Sequence, residues 1–150
     1  MGAEQIEGVL TTPLRRISVP AGDVLHAMKC SDPGYNGFGE VYFSLVKQGA
    51  IKGWKRHRKV TLNLVVPNGA VRFVIYDDRS DSTACGKFVE HVLSAENYIR
   101  LTIAPMLWMS FEGVGAGESI IMDVTDQVHD QHESDRCALD AIKFNWSTER

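Results

Sequence analysis

Short apolar runs rich in β-branched residues recur about every ten positions along this chain, and turn-forming residues end each of them. The runs are "RRISV" (15–19), "DVLHAM" (23–28), "EVYFSLV" (40–46), "VTLNLVV" (60–66), "AVRFVIYD" (70–77), "KFVEHVLS" (87–94), "YIRLTIA" (98–104) and "ESIIMDV" (118–124). Between them lie "PAGD", "SDPGYNGFG", "PNG" and "GVGAG". Gly and Asn tolerate the backbone angles of tight turns, and β-branched residues pack well on a pleated surface. Many short strands at this spacing make a sandwich or barrel rather than an alternating βα fold. Helix is scarce, the one weak candidate being "HESDRCALDA" (132–141). The pair "VTLNLVV-PNGA-VRFVIYD" reads as a β-hairpin closed by an Asn-Gly turn.

Alternation within the runs separates two faces. Val60, Leu62, Leu64 and Val66 share one side, with Thr61, Asn63 and Val65 on the other. Likewise Val71, Phe73 and Ile75 oppose Ala70, Arg72, Val74 and Tyr76. Strands with one apolar and one mixed face suit a barrel, whose polar minority, here Asn63 and Arg72, can point into a ligand cavity.

A chain of 150 residues, 44% hydrophobic and 23% charged, is expected to form one domain (1–150) around a sizeable core. Its net charge of −3 argues against general nucleic-acid binding. Cys30, Cys85 and Cys137 show no paired or metal-type spacing and read as free thiols of a reducing compartment. No apolar window approaches the roughly 18 residues a membrane helix needs, and the N-terminus lacks the order of a signal peptide. The expected location is the cytoplasm.

Against the acidic background, "IKGWKRHRKVTLNL" (51–64) concentrates Lys52, Lys55, Arg56, Arg58 and Lys59 around His57. A basic cluster on an acidic chain points to a small anionic ligand. Charges can equally protect an edge strand from aggregation. In a strand, Lys55, His57 and Lys59 project to one side and Arg56 and Arg58 to the other. In "YDDRSDS" (76–82), Arg79 either holds a phosphate or pins an Asp-rich turn. Trp108 and Phe111 can stack on a sugar or base, or fill a core. The tail carries His129, Asp130, His132, Glu133 and Asp140, too loosely arranged for a metal signature.

Taken in order, these pieces resemble the sugar-nucleotide cupins: the dTDP-4-dehydrorhamnose 3,5-epimerases and the related 3,4-ketoisomerases of dTDP-4-keto-6-deoxyglucose. The resemblance covers residues 7 to 146. It runs through "GVL…PL", "GD" (22–23), "FGEVYFSLVKQGAIKGW" (38–54), "VPNGAVRFVIYDDR" (66–79), "GKFVEHVLSAENYIRLTIAP" (86–105) and the closing "H-D…E…R…F-N-W" (129–146). It implies a jelly-roll barrel (the cupin double-stranded β-helix), usually a homodimer. It also implies action on a nucleotide-linked 4-keto-6-deoxy sugar without cofactor or metal, in the synthesis of a deoxysugar for a surface polysaccharide. In that chemistry a base removes the proton next to the C4 carbonyl, donors stabilise the enolate, and an acid on the opposite ring face returns a proton.

The resemblance assigns Lys55 to the position of the family's usual histidine base and His57 to the second histidine. Asp140 matches the late aspartate that orients the base. Lys52 fits the diphosphate-binding arginine, Arg79 the family's Asp-Arg strand end, and Arg58, Arg72, Trp108 and Asn63 complete the expected substrate-binding set. Met109 stands where a polar His or Asn is usual, and Ile121 near the tyrosine acid. Base and acid of the usual kind are both missing. A non-catalytic cupin that binds a nucleotide sugar or a pathway enzyme is therefore the second expectation.

Overall fold

The computed structural model describes residues 5–147. In chain order its strands are β1 (Val9–Pro13), β2 (Arg16–Ile17), β3 (Val24–Leu25), β4 (Glu40–Lys47), β5 (Ile51–His57), β6 (Leu62–Asn68), β7 (Ala70–Asp77), β8 (Lys87–Ser94), β9 (Ile99–Ile103), β10 (Trp108–Gly113), β11 (Glu118–Thr125) and β12 (Ser134–Arg136). They form two five-stranded antiparallel sheets, ordered β1-β9-β6-β11-β4 and β12-β5-β10-β7-β8, with β2 and β3 as a small separate ribbon. The inner faces meet in a core built of Leu62, Leu64 and Leu101 from one sheet and Val71, Phe73 and Ile75 from the other. This is the all-β, jelly-roll architecture that the strand spacing and the resemblance predict, and no helix among the described residues is long and apolar enough to cross a membrane.

The alternation in 60–66 and 70–76 holds residue by residue. Much of the outer face is nevertheless buried too, Asn63, Val65, Arg72 and Val74 among it, because a different segment covers each sheet. Over the first sheet, the loop before β4 folds onto Asn63, Arg100 and Thr102. Arg100, fully buried, donates to the carbonyls of Ala27 at 2.8 Å and Pro33 at 2.6 Å. Over the second sheet, Ile142, Phe144 and Trp146 of the tail pack on Trp54, Val74 and Trp108.

Two expectations are corrected. β6 and β7 do not form a hairpin: β6 pairs with β9 and β11, whereas β7 pairs with β8 and β10, so the chain arches from one sheet to the other. Gly69 makes the corner with a positive φ of 93°, and any side chain there would collide with Ser119. Both strands carry apolar residues on two faces, which suits a central strand in each of two packed sheets better than a free hairpin. Residues 132–141 are not a helix. Ser134–Arg136 pairs with β5 as strand β12, and only Leu139–Ala141 turns, as a single uncapped 3-10 turn.

Candidate active site

β5 decides what happens to the basic cluster. Its register against β10 places Lys55 opposite Met109 and Lys52 opposite Phe111, so two residues of β5, Gly53 and Trp54, face the single Ser110. This is a β-bulge. It reverses the side-chain phase, turning both Lys52 and Lys55 inward and Trp54 into the outer aromatic cluster. Ser110 secures the bulge by donating to the Lys52 carbonyl at 2.7 Å. At the other end of β5, Met106, with a positive φ of 72°, donates its N–H to the His57 carbonyl at 2.6 Å.

A cavity of about 250 Å³ opens between the sheets. Leu62, Leu64, Phe73, Met109, Phe111 and Ile121 give it an apolar floor. Lys52, Lys55, His57 and Arg136 supply one polar wall from β5 and β12, and Tyr42, Ser44 and Asp123 the facing wall from β4 and β11. Lys55 has no hydrogen-bonding partner among the described residues. Burial and the neighbouring Arg136 lower its pKa from the usual lysine range, while Asp123 and Glu133 pull the other way. Lys52 donates to the Leu45 carbonyl at 2.8 Å and lies over the Phe111 ring.

His57 is anchored by a carboxylate 76 residues away in sequence. Its Nδ1 lies 2.5 Å from Glu133 Oε1, and Glu133 Oε2 accepts the backbone N–H groups of Lys59 at 2.9 Å and Val60 at 3.1 Å. Burial opposes ionisation of Glu133, but those two amides and His57 outweigh it and hold its pKa below the ordinary glutamate value. A carboxylate is an acceptor only, so the proton of neutral His57 sits on Nδ1 and leaves Nε2 with its lone pair free. Burial lowers the His57 pKa further than Glu133 raises it, so the ring is neutral at pH 7. The pair presents an oriented, neutral ring to a partly apolar cavity, an arrangement able to accept a proton.

On the facing wall, Tyr42 donates to Asp123 Oδ2 at 2.8 Å. Burial lifts the Asp123 pKa to about 6, although Tyr42 and Lys55 both act to lower it. The Tyr42 phenol is pushed up by its own burial and by the Asp123 charge.

Among the expected site residues, Lys52, Lys55 and His57 come together in the cavity. The others lie elsewhere, for identifiable reasons. Asp140 is exposed in the 3-10 turn and outside the cavity lining; the carboxylate beside the histidine is Glu133. Arg58 points outward to Asp135 at 2.6 Å and to the His132 carbonyl, and Arg56 is likewise paired with Asp135 and Asp78. Arg72 sits on the outer face of β7, opposite in phase to the cavity-lining Phe73. There it is 1% exposed, bound to Glu90 at 2.5 Å and flanked by the rings of Phe144 and Trp146. Arg79 grips Asp77 through two contacts of 2.9 Å and donates to the Glu7 carbonyl, pinning its own loop. Trp108 lies outside under Arg56 and donates to Asp78, and Asn63 is spent on Arg100, Thr102 and Gly34. Sequence reasoning missed Tyr42, Asp123, Glu133 and Arg136 as site groups. The signal available for Arg136 and Glu133 was the run from Glu133 to Arg136 read as a strand beside β5.

No protein-family model matches the chain. Two antiparallel sheets enclosing a cavity lined by Lys52, Lys55, His57 and Arg136 make a cupin-type barrel. A crystal structure described as a dTDP sugar isomerase from Desulfovibrio desulfuricans G20 superposes with a TM-score of 0.92 at 35% identity, covering 99% of this chain and 98% of that one. This chain belongs to that family of dTDP-sugar isomerases, whose fold is also that of dTDP-4-dehydrorhamnose 3,5-epimerase. SpsL, a spore coat polysaccharide biosynthesis protein of Bacillus subtilis, is 26% identical over 148 residues, 96% of this chain and 98% of SpsL. Agl13, a probable low-salt glycan biosynthesis epimerase of Haloferax volcanii, is 27% identical over 95 residues, which span 63% of this chain and 61% of Agl13.

Proposed function

We propose that the protein is an epimerase or isomerase of a nucleotide-linked 4-keto-6-deoxy sugar, working by proton abstraction next to the C4 carbonyl. One observation carries this reading: His57, held by Glu133 through Nδ1, lines the cavity with Lys55, and neither His57 Nε2 nor the Lys55 ammonium has a hydrogen-bonding partner among the described residues. His57 Nε2 takes the proton from carbon, the C–H electron pair moves onto the carbonyl oxygen, and Lys55 stabilises the enolate. An ammonium a few ångströms from an oxyanion acts strongly in a cavity that excludes water. Lys55 is therefore the electrostatic partner and His57 the base. Lys52 and Arg136 serve the diphosphate. The family membership and the glycan-synthesis names of SpsL and Agl13 support a role in making a deoxysugar for a surface polysaccharide.

The same reading includes a cytoplasmic homodimer. Val41, Phe43 and Leu45 are exposed on the outer face of β4, an edge strand whose Tyr42 and Ser44 line the cavity, and a second copy would cover them. Light scattering should give twice the mass of one chain.

Solvent deuterium incorporation tests the activity. Incubated in D2O with dTDP-4-keto-6-deoxyglucose, or with its CDP-linked equivalent, the protein should erase the NMR signal at C3 or C5. Line broadening that proves binding, with both signals intact, would refute the reading in favour of a non-catalytic binder.

A further inference from the structure

Position 121 is isoleucine, so the wall facing His57 has no acid on that residue. One hydrogen-bonded pair, Tyr42 and Asp123, lines the same wall. Asp123 is 6% exposed and lines the cavity; its Oδ2 accepts from Tyr42, while Oδ1 has no hydrogen-bonding partner among the described residues. A buried carboxylate oxygen left without a donor is costly and rarely kept without a use. Register explains the placement. β11 pairs with β4 so that Asp123 stands opposite Tyr42, two residues beyond Ile121 and on the same cavity-lining face.

We propose that Asp123, positioned by Tyr42, is the second proton-carrying group of this site and works from the wall opposite His57, so that the protein inverts the configuration at the carbon it deprotonates. The inference rests on the reading of the cavity as an enolising site. A sugar ring between two sheets presents one face to each, and groups on opposite walls reach opposite faces. His57 Nε2 removes the proton from one face. The enolate electron pair returns to carbon, which takes a proton from Asp123 Oδ1 on the other face. His57 is left protonated and Asp123 ionised, and solvent resets both.

The charged groups acting on Asp123 are Lys55 across the cavity and Glu40 on β4, in addition to Tyr42 itself. With a pKa raised by burial to about 6, about a tenth of the carboxyl carries its proton at pH 7, and more does below that. A single base on one wall would exchange the proton but return it to the same face. Two groups on two walls are what inversion requires.

The test separates exchange from inversion. Wild-type protein in D2O with dTDP-4-keto-6-deoxyglucose should both incorporate deuterium and yield the inverted epimer. Asp123→Asn should still incorporate deuterium but lose at least about a hundredfold in epimer formation. Tyr42→Phe removes a bond that lowers the Asp123 pKa, so it should move the alkaline limb of the pH profile for inversion upward while product still forms. That shift guards against a merely structural effect and keeps the test alive if Asp123→Asn misfolds. Wild-type exchange without inversion, inversion by Asp123→Asn at the wild-type rate, or an unmoved limb in Tyr42→Phe would overturn the assignment. No exchange by the wild type would overturn the enolisation reading first, and this one with it.

Discussion

Glu133→Gln is the perturbation that most sharply separates an oriented base from a passive histidine. The three bonds of Glu133 leave little freedom. Oε2 accepts two backbone amides, from Lys59 and Val60, so glutamine must put its single oxygen there. Its NH2 then faces His57 Nδ1, the atom 2.5 Å from Oε1 in the native protein. Two donors cannot face each other, so the ring takes the other tautomer, with the proton on Nε2 and no lone pair toward the cavity. A base in the wrong tautomer loses about 10² to 10⁴ in rate, or roughly 3 to 5.5 kcal/mol of barrier. Folding should suffer less. The two amide bonds survive but lose their charge assistance, about 1–3 kcal/mol in total. Deuterium incorporation followed by NMR at pH 7.5 reads the first effect and urea unfolding the second. Exchange within threefold of wild type, in a variant that remains folded, would refute the reasoning.

Three further outcomes follow from the same geometry. Lys52→Ala and Arg136→Ala should each weaken dTDP binding about tenfold by calorimetry, whereas Arg58→Ala should leave it within threefold, because Arg58 is occupied outside the cavity by Asp135. Asp77 is held at about 2 first by Arg79 and then by Ser82, against about 3.9 when unfolded. Its contribution, on the order of 2 kcal/mol, is present above pH 4 and lost as the pH falls from 4 to 2, so Asp77→Asn should lower the urea midpoint at pH 7 and flatten the acid slope. Asp123 behaves in the opposite sense. Its folded value of about 6 lies above the unfolded one, so ionising it destabilises the fold increasingly from pH 4 to 6 and fully above that. Asp123→Asn should raise the urea midpoint at pH 7, by about 1–3 kcal/mol in stability, and leave it unchanged at pH 4.

The strands that sequence revealed are those whose alternation is uninterrupted. β4, β7, β8 and β11 begin and end within a residue of the runs at 40–46, 70–77, 87–94 and 118–124. β5 was harder to see because "IKGWKRH" carries a bulge, and the bulge changes which side each cation takes: strict alternation sets Lys52 with Arg56, yet Lys52 and Lys55 share the cavity. β12 was hidden because its three residues, Ser134–Arg136, are polar and are held by β5, not by any pattern of their own. The β6–β7 corner shows the limit of local turn chemistry, since an Asn-Gly turn serves an arch between sheets as well as a hairpin within one.

For the site, residue type alone misled wherever a charge was taken to mean a ligand. Arg72 and Arg79 are cationic because Glu90, Glu112 and Asp77 await them in the fold. Asn63 is polar because buried Arg100 and Thr102 need its oxygen. Asp123 escaped notice, and Glu133 was noted only as part of the tail's acidic and histidine cluster, because their partners, Tyr42 and His57, lie 81 and 76 residues away and only the fold brings them together. The resemblance pointed to the β5 histidine and lysine together, and both line the cavity, but it could not show which of them has a carboxylate partner.

Chemical rescue tests that last assignment most directly. His57→Ala removes the base and leaves space beside Lys55 and Glu133. Deuterium incorporation from D2O into dTDP-4-keto-6-deoxyglucose should be abolished in this variant and restored, in proportion to concentration, by added imidazole. Exchange that persists in His57→Ala without imidazole would contradict the account and make Lys55 the base.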